Sequence, residues 1–282
     1  MEGTAVAFAP GHISGYFKRI DGDSPKTTGS CGAGIVIDRG VTASVTPSPK
    51  TSVIVTDRTP DGESLISYGS GLIEELLSGL GVCAKVETTS GLPIGAGFGM
   101  SAAAILATLT ATNAVFELGM SAEAISELAH ETEVAHNTGL GDVAAASGGG
   151  VAVRNAPGIF GVNSRFFPSA EICSVTFGSI FTPDVIGSPE KMAQVTAAFP
   201  VGEPATFTEF MMKSRQFAEA SGLIPARIRP VLDACDEAGI LASMTMLGCG
   251  VFAAADGFEI LSGFGTAVPL KVCPHGPILL EV

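Results

Sequence analysis

Positive charge is scarce in this chain. Of 282 residues only 15 are Lys or Arg, against 28 Asp or Glu, for a formal net charge of −13 at pH 7. Nucleic acid and anionic membrane both require a basic face, so this balance excludes them as main partners. It also leaves few side-chain cations for a phosphate ligand, which would depend on backbone dipoles and a metal for its positive field. The six cysteines (31, 83, 173, 235, 249 and 273) nowhere form C-x-x-C, which points to free thiols in a cytoplasmic protein. The start of the chain has no basic region followed by an apolar run, and no repeat is evident. The long apolar stretch 101–116 is broken by Ser101, Thr108, Thr110, Thr112 and Asn113, which favours a buried helix over a membrane span. Apolar residues and glycine are plentiful: 46% hydrophobic content and 36 glycines give core enough for one large domain or two modest ones.

The most informative stretch is Gly91-Leu-Pro-Ile-Gly-Ala-Gly-Phe-Gly-Met-Ser-Ala-Ala-Ala104. Gly95, Gly97 and Gly99 alternate, Ser101 follows, and the sequence then runs into a helical pattern. A helix N-terminus presents unpaired N–H groups and partial positive charge, and glycines before it let an anion approach the backbone. The alternation Val82/Ala84/Val86 reads as a strand feeding this loop. Neither the dinucleotide G-x-G-x-x-G pattern nor the Gly-Lys-Ser/Thr of a Walker loop is present.

Upstream, Thr4–Ala9 reads as a strand ended by Pro10-Gly11. His12 then falls in a loop beside the phosphate site, as a ligand contact or a structural hydrogen bond. Residues 20–34 are polar and glycine-rich, so Lys26, Thr28 and Ser30 face either a substrate or solvent. Residues 35–38 and 41–45 read as a hairpin around Arg39-Gly40. Downstream, Ser121 caps a second helix on which His130 and Glu133 share a face. Asp142 sits in the Gly-flanked turn Gly139-Leu-Gly-Asp, a helix cap or a reacting group. A short strand leaves Arg154 at its end, and in a chain with so few cations its bidentate fork favours a carboxylate ligand over a surface ion pair. Pro157, Gly158 and Gly161 mark the boundary between expected domains 1–156 and 157–282. Three helices (about 189–199, 205–220 and 227–238) and strands near 172–177, 241–247, 251–255 and 267–273 follow, an α+β sandwich of ferredoxin type.

Pro93-x-Gly95-x-Gly97-Phe98-Gly99-x-Ser101-Ala102-Ala103 resembles the ATP-binding motif of the galactokinase, homoserine, mevalonate and phosphomevalonate (GHMP) kinase superfamily. Met100 stands where many members have a first Ser. The resemblance extends to two further stretches, 10–17 and 243–253, and so covers most of the chain. It implies an α+β, two-domain GHMP kinase fold, with an N-terminal ribosomal protein S5 domain 2-like half and a C-terminal ferredoxin-like half. It further implies ATP and Mg²⁺ as cofactors. Pro93, Gly95, Gly97, Gly99, Ser101 and Ala102 would bind nucleotide, and Gly248 and Gly250 would bend a loop over it. Ser101 and Glu133 would hold the metal, and Asp142 would be the general base. The superfamily's first motif normally carries Asn and Glu-His, which are absent here; His12 lies where some mevalonate-type members place a lysine.

Within the superfamily, His12, Thr138-Gly-Leu-Gly-Asp-Val143 and Ser243-Met-Thr-Met-Leu-Gly248 look like the archaeal pantoate kinases. That resemblance implies (R)-pantoate as the small-molecule substrate, in coenzyme A biosynthesis. Arg154 would clamp its carboxylate, and His130, Ser30 and His12 would complete the acceptor site. A homoserine- or mevalonate-type kinase and a non-catalytic nucleotide sensor are the alternatives. A monomer and a homodimer are both compatible with the sequence.

Overall fold

The computed structural model describes residues 3–59, 62–179 and 187–282. Among these residues two sheets carry the fold. In the larger, β1 (Ala5–Ile20) pairs along its length with β2 (Gly29–Pro47). β12 (Ile278–Glu281) pairs with the outer side of β1. β5 (Ala84–Ser90), β3 (Ser52–Thr59) and β4 (Gly62–Tyr68) follow in that order beyond the second half of β2, and β3/β5 is the parallel pair. The first half of β2 takes up β6 (Val151–Arg154) instead, and β7 (Val162–Phe166) pairs with β6. The larger sheet thus draws two strands from beyond residue 157.

Two sequence expectations for this region are corrected. Pro10-Gly11 does not end the first strand, and Arg39-Gly40 does not turn a hairpin. Pro10 pairs with Gly40 and Gly11 with Ile37, so the two dipeptides meet at one irregularity across which both strands run on. The reason is close approach. A Cβ at Gly11 would lie 2.5 Å from Met100 Cε and 2.9 Å from Phe98 O, and one at Gly40 would overlap Ala9 O. Glycine here admits a neighbouring backbone, so it marks a bend and not a turn. As a result His12, Ser14 and Phe17 belong to a strand beside the loop of residues 91–99.

The helices α1 (Gly71–Gly79), α2 (Met100–Val115), α3 (Ala122–His136) and α4 (Asp142–Ala146) follow in chain order. α2 packs on β1 and β2. It is buried through Ala102, Ala103, Leu106, Ala107 and Leu109, as an apolar helix with no polar face must be. Ser121 caps α3 by accepting from Ala124 N at 3.2 Å.

The smaller sheet is antiparallel, with strands β8 (Glu171–Ser179), β9 (Ala242–Met244), β10 (Gly248–Ala254) and β11 (Val268–Lys271) in the order β11-β8-β10-β9. The helices α5 (Pro189–Ala198), α6 (Phe207–Ser221), α7 (Arg229–Glu237) and α8 (Phe258–Ser262) accompany it. α6 packs against both β1 and β9 and so joins the two halves. Its Phe217 meets Phe17 at 5.9 Å between ring centroids, and its Phe210 meets Phe252 at 6.3 Å. One buried core therefore runs from α2 to the second sheet. The architecture is α+β, with mixed sheets and helices. No helix among the described residues is long and apolar enough to cross a membrane.

Candidate active site

The alternating glycines form the loop that ends at the N-terminus of α2. Gly95, Gly97 and Gly99 have φ of 77°, 85° and 65°, left-handed values that favour glycine. The loop is tied on two sides. His12 N donates to Phe98 O at 2.9 Å, and Thr245 Oγ1 donates to Ala96 O at 2.9 Å. With α2 behind it, the loop offers backbone N–H groups to an anion from a fixed frame.

A cavity of about 430 Å³ opens in front of this loop. Gly95, Gly97, Gly99, Ser101, Glu133, Asp142 and Ser30 all line it. α3 brings Glu133 from one side. α3 stops at Asn137 in the left-handed conformation, and the turn that follows carries Asp142 to the first position of α4. Glu133 is 2% exposed. Burial, with Asp142 close by, pushes its carboxyl up to about 8, although hydrogen bonds from Thr138 and Ser101 oppose the shift. A Cβ at Gly139 would overlap Glu133 Oε2, so the turn closes directly on that carboxylate.

Asp142 is the more solvated acid, with its side chain 24% exposed. Burial works to raise it. The hydrogen bond from His12 and the positive charge of Arg154 outweigh burial and hold the carboxyl below its ordinary range. The two acids are thereby pushed apart, Glu133 toward the protonated form and Asp142 toward the carboxylate.

Arg154 is 2% exposed, and its Nε and Nη1 have no hydrogen-bond partner among the described residues. It lies against Gly141, next to Ser30 Oγ. A buried guanidinium with idle donors is costly unless an anion meets it.

Other sequence-predicted residues sit further back. His12 is fully buried, and its Nδ1 donates to Asp142 Oδ1 at 2.7 Å, so its ring faces the acid from inside the protein. His130 is also buried, and its Nε2 donates to the Thr28 carbonyl at 2.9 Å. Burial lowers its pKa, which leaves a neutral ring with Nδ1 as an acceptor. Lys26 pairs with Glu127 at 2.5 Å on the surface. Pro93 and Ala102 flank the cradle without lining the cavity. Gly248 and Gly250 lie behind the loop: a Cβ at Gly248 would overlap Ala96 O, and one at Gly250 would lie 2.9 Å from Thr245 Oγ1. Met246 and Leu247 of that turn reach the cavity instead.

Sequence reasoning missed Ser14, Phe17 and Leu140 as lining residues and Thr138 as a partner of Glu133. The first two lie on β1 past Gly11, a continuation hidden by taking Pro10-Gly11 as a strand end, and an irregularity between Ser14 and Tyr16 lets both line the cavity.

The family model for the GHMP kinases N terminal domain matches residues 67–150. A pantoate kinase of Methanospirillum hungatei is 44% identical over 284 residues, covering 99% of this chain and 98% of that protein. A pantoate kinase of Thermococcus kodakarensis is 32% identical, covering 88% of this chain and 86% of its own. Among solved structures, one described as a phosphotransferase related to the CoA biosynthesis pathway superposes with a TM-score of 0.76 at 24% identity, covering 99% of each chain. A homoserine kinase from Cytophaga hutchinsonii has a TM-score of 0.65 at 18% identity, covering 99% of this chain and 98% of its own. Fold, phosphate-loop geometry and full-length similarity agree: the chain belongs to the pantoate kinase family of the GHMP kinases.

Proposed function

We propose that this protein transfers the γ-phosphoryl group of ATP to the 4-hydroxyl of (R)-pantoate, giving (R)-4-phosphopantoate and ADP for coenzyme A biosynthesis. One observation carries the reading: a glycine cradle and two acids of opposite protonation tendency line a single cavity, and a buried arginine lies directly behind Gly141 of its wall. The full-length similarity to pantoate kinases supports the choice of acceptor.

Phosphoryl transfer asks the protein for positioning and charge stabilisation more than for covalent chemistry. The residues present fit a magnesium nucleotide. Gly95, Gly97 and Gly99 turn the backbone toward the phosphates, with Pro93 and Ala102 shaping the two ends of the loop. Gly248 and Gly250 allow the neighbouring turn to press against the loop from behind. Ser101 and Glu133 supply hard oxygen donors suited to magnesium. When bound, the metal neutralises charge on the transferred group. Asp142 orients the acceptor hydroxyl and takes its proton; its carboxylate form is already favoured in the free protein.

Pantoate offers a carboxylate, a 2-hydroxyl and a gem-dimethyl group. Arg154 clamps the carboxylate through the donors that have no partner among the described residues. Ser30 hydrogen-bonds the same end, and His130 holds the start of that strand through Thr28 while its Nδ1 accepts from a hydroxyl. Phe17 and Leu140 supply apolar wall. Most of both sites lies on residues 1–156, while residues 157–282 contribute the Thr245–Leu247 turn. A homoserine-type acceptor would need an anion for its ammonium, and both acids already have other tasks.

Phosphorus NMR of the product tests the proposal. A phosphate resonance coupled to the C4 methylene protons of pantoate supports it. Phosphate on another oxygen, or no product, overturns it.

A further inference from the structure

His12 touches both halves of the reaction site without entering the cavity. Its backbone N–H donates to Phe98 O in the glycine cradle at 2.9 Å, and a Cβ at Gly99 would lie 3.2 Å from His12 O. Its side chain donates from Nδ1 to Asp142 Oδ1 at 2.7 Å. The ring is completely buried, and Nε2 has no hydrogen-bond partner among the described residues. Nε2 is shut in against position 34, where a Cβ would overlap it and only glycine fits. A proton on Nε2 would be a buried donor with nothing to bond, so the stable form is the neutral tautomer with its proton on Nδ1. Burial also lowers the histidine's pKa, in the same sense.

We infer that His12 is a positioning residue that sets Asp142 in fixed register with the phosphate cradle. This goes beyond the proposed function and rests on its assignment of Asp142 as the group that takes the acceptor's proton. One residue carries both links, so the distance between cradle and carboxylate is set by a strand inside the sheet and not by the 137–142 turn alone. The Nδ1–H holds one oxygen of Asp142, which leaves the other free for the acceptor hydroxyl. A lysine here would bring a charge on a flexible stem; the neutral ring brings a directed donor and no charge.

The test compares His12→Asn, His12→Gln and His12→Ala in the full-length protein, with pantoate and ATP. Asn presents an amide N–H near the place of Nδ1, whereas Gln presents it near that of Nε2. Gln and Ala should lower kcat by roughly 10- to 100-fold, the usual size for an outer hydrogen bond that fixes a reacting group. Asn should recover most of that loss. Nucleotide affinity, measured by direct titration, should stay near wild type in all three, because the backbone bond to Phe98 survives. Gln at least as active as Asn, Asn as low as Ala, or nucleotide affinity falling in step with kcat would each overturn the inference. If Ala fails to fold, the Asn–Gln pair still decides. Asp142→Asn, run alongside, separates the two ideas: full activity there removes the role given to Asp142, whereas its loss with no difference between Asn and Gln at position 12 removes only the role given to His12.

Discussion

Gly141 and Arg154 occupy one another's space: a Cβ built at Gly141 would overlap Arg154 Nη1 and lie 2.5 Å from Ser30 Oγ. The φ there, −162°, lies outside the left-handed region, so it is the neighbour that requires glycine. The turn that delivers Asp142 is thus packed against the cation proposed to hold the acceptor.

Gly141→Ala should therefore reproduce Arg154→Ala. Both should raise the KM for pantoate while leaving the KM for ATP nearly unchanged. Removing a buried charge partner costs about 2–5 kcal/mol, read as a fall in kcat/KM. Steady-state kinetics with each substrate varied in turn checks this; equal effects on both KM values would move Arg154 out of the acceptor site.

Asp142→Asn keeps the shape of the side chain and removes the base. Its kcat should fall roughly 10²- to 10⁴-fold with ATP binding retained. Near-normal turnover would leave Asp142 an acid of the first turn of α4 with no part in the reaction.

Glu133 gives a pH dependence with a definite sign. Its folded pKa, about 8, lies above its ordinary value of 4.5. The proton is therefore held more tightly in the folded state. Its contribution to stability is complete below 4.5 and is lost as the pH rises through about 8. Without magnesium, Glu133→Gln should be more stable relative to wild type above pH 8 than at pH 5, in thermal melts at the two values. Its activity should also need more magnesium, and apparent magnesium affinity of the wild type should rise with pH until about 8.

Thr245→Val removes the hydroxyl that donates to Ala96 O. The carbonyl is left buried and unpaired, which costs about 1–3 kcal/mol of stability. The cradle loosens with it, so the KM for ATP should rise more than the KM for pantoate. Thermal unfolding and kinetics measure the two effects.

The sequence showed the cradle because positive-φ glycine ahead of a helix is a local pattern, and Gly95, Gly97 and Gly99 adopt it. It showed α3 equally well, since Ser121 and the spacing of its apolar face are also local. It did not show that β1 and β2 run through Pro10-Gly11 and Arg39-Gly40. A bulge and a turn use the same residues, and only the approach of Met100 and Phe98 decides between them. That difference moved His12 from a loop into a strand, where its Nδ1 meets an acid 130 positions away. The mutual fit of Gly141 and Arg154 was illegible for the same reason: each residue is explained by the other and by nothing beside it in the chain.

Coupled ADP release from ATP over a panel of pantoate, pantothenate, homoserine and mevalonate decides which acceptor the enzyme uses. Rapid magnesium-dependent release is expected with pantoate and little with the other three. No release with pantoate, together with turnover of homoserine or mevalonate, would contradict it.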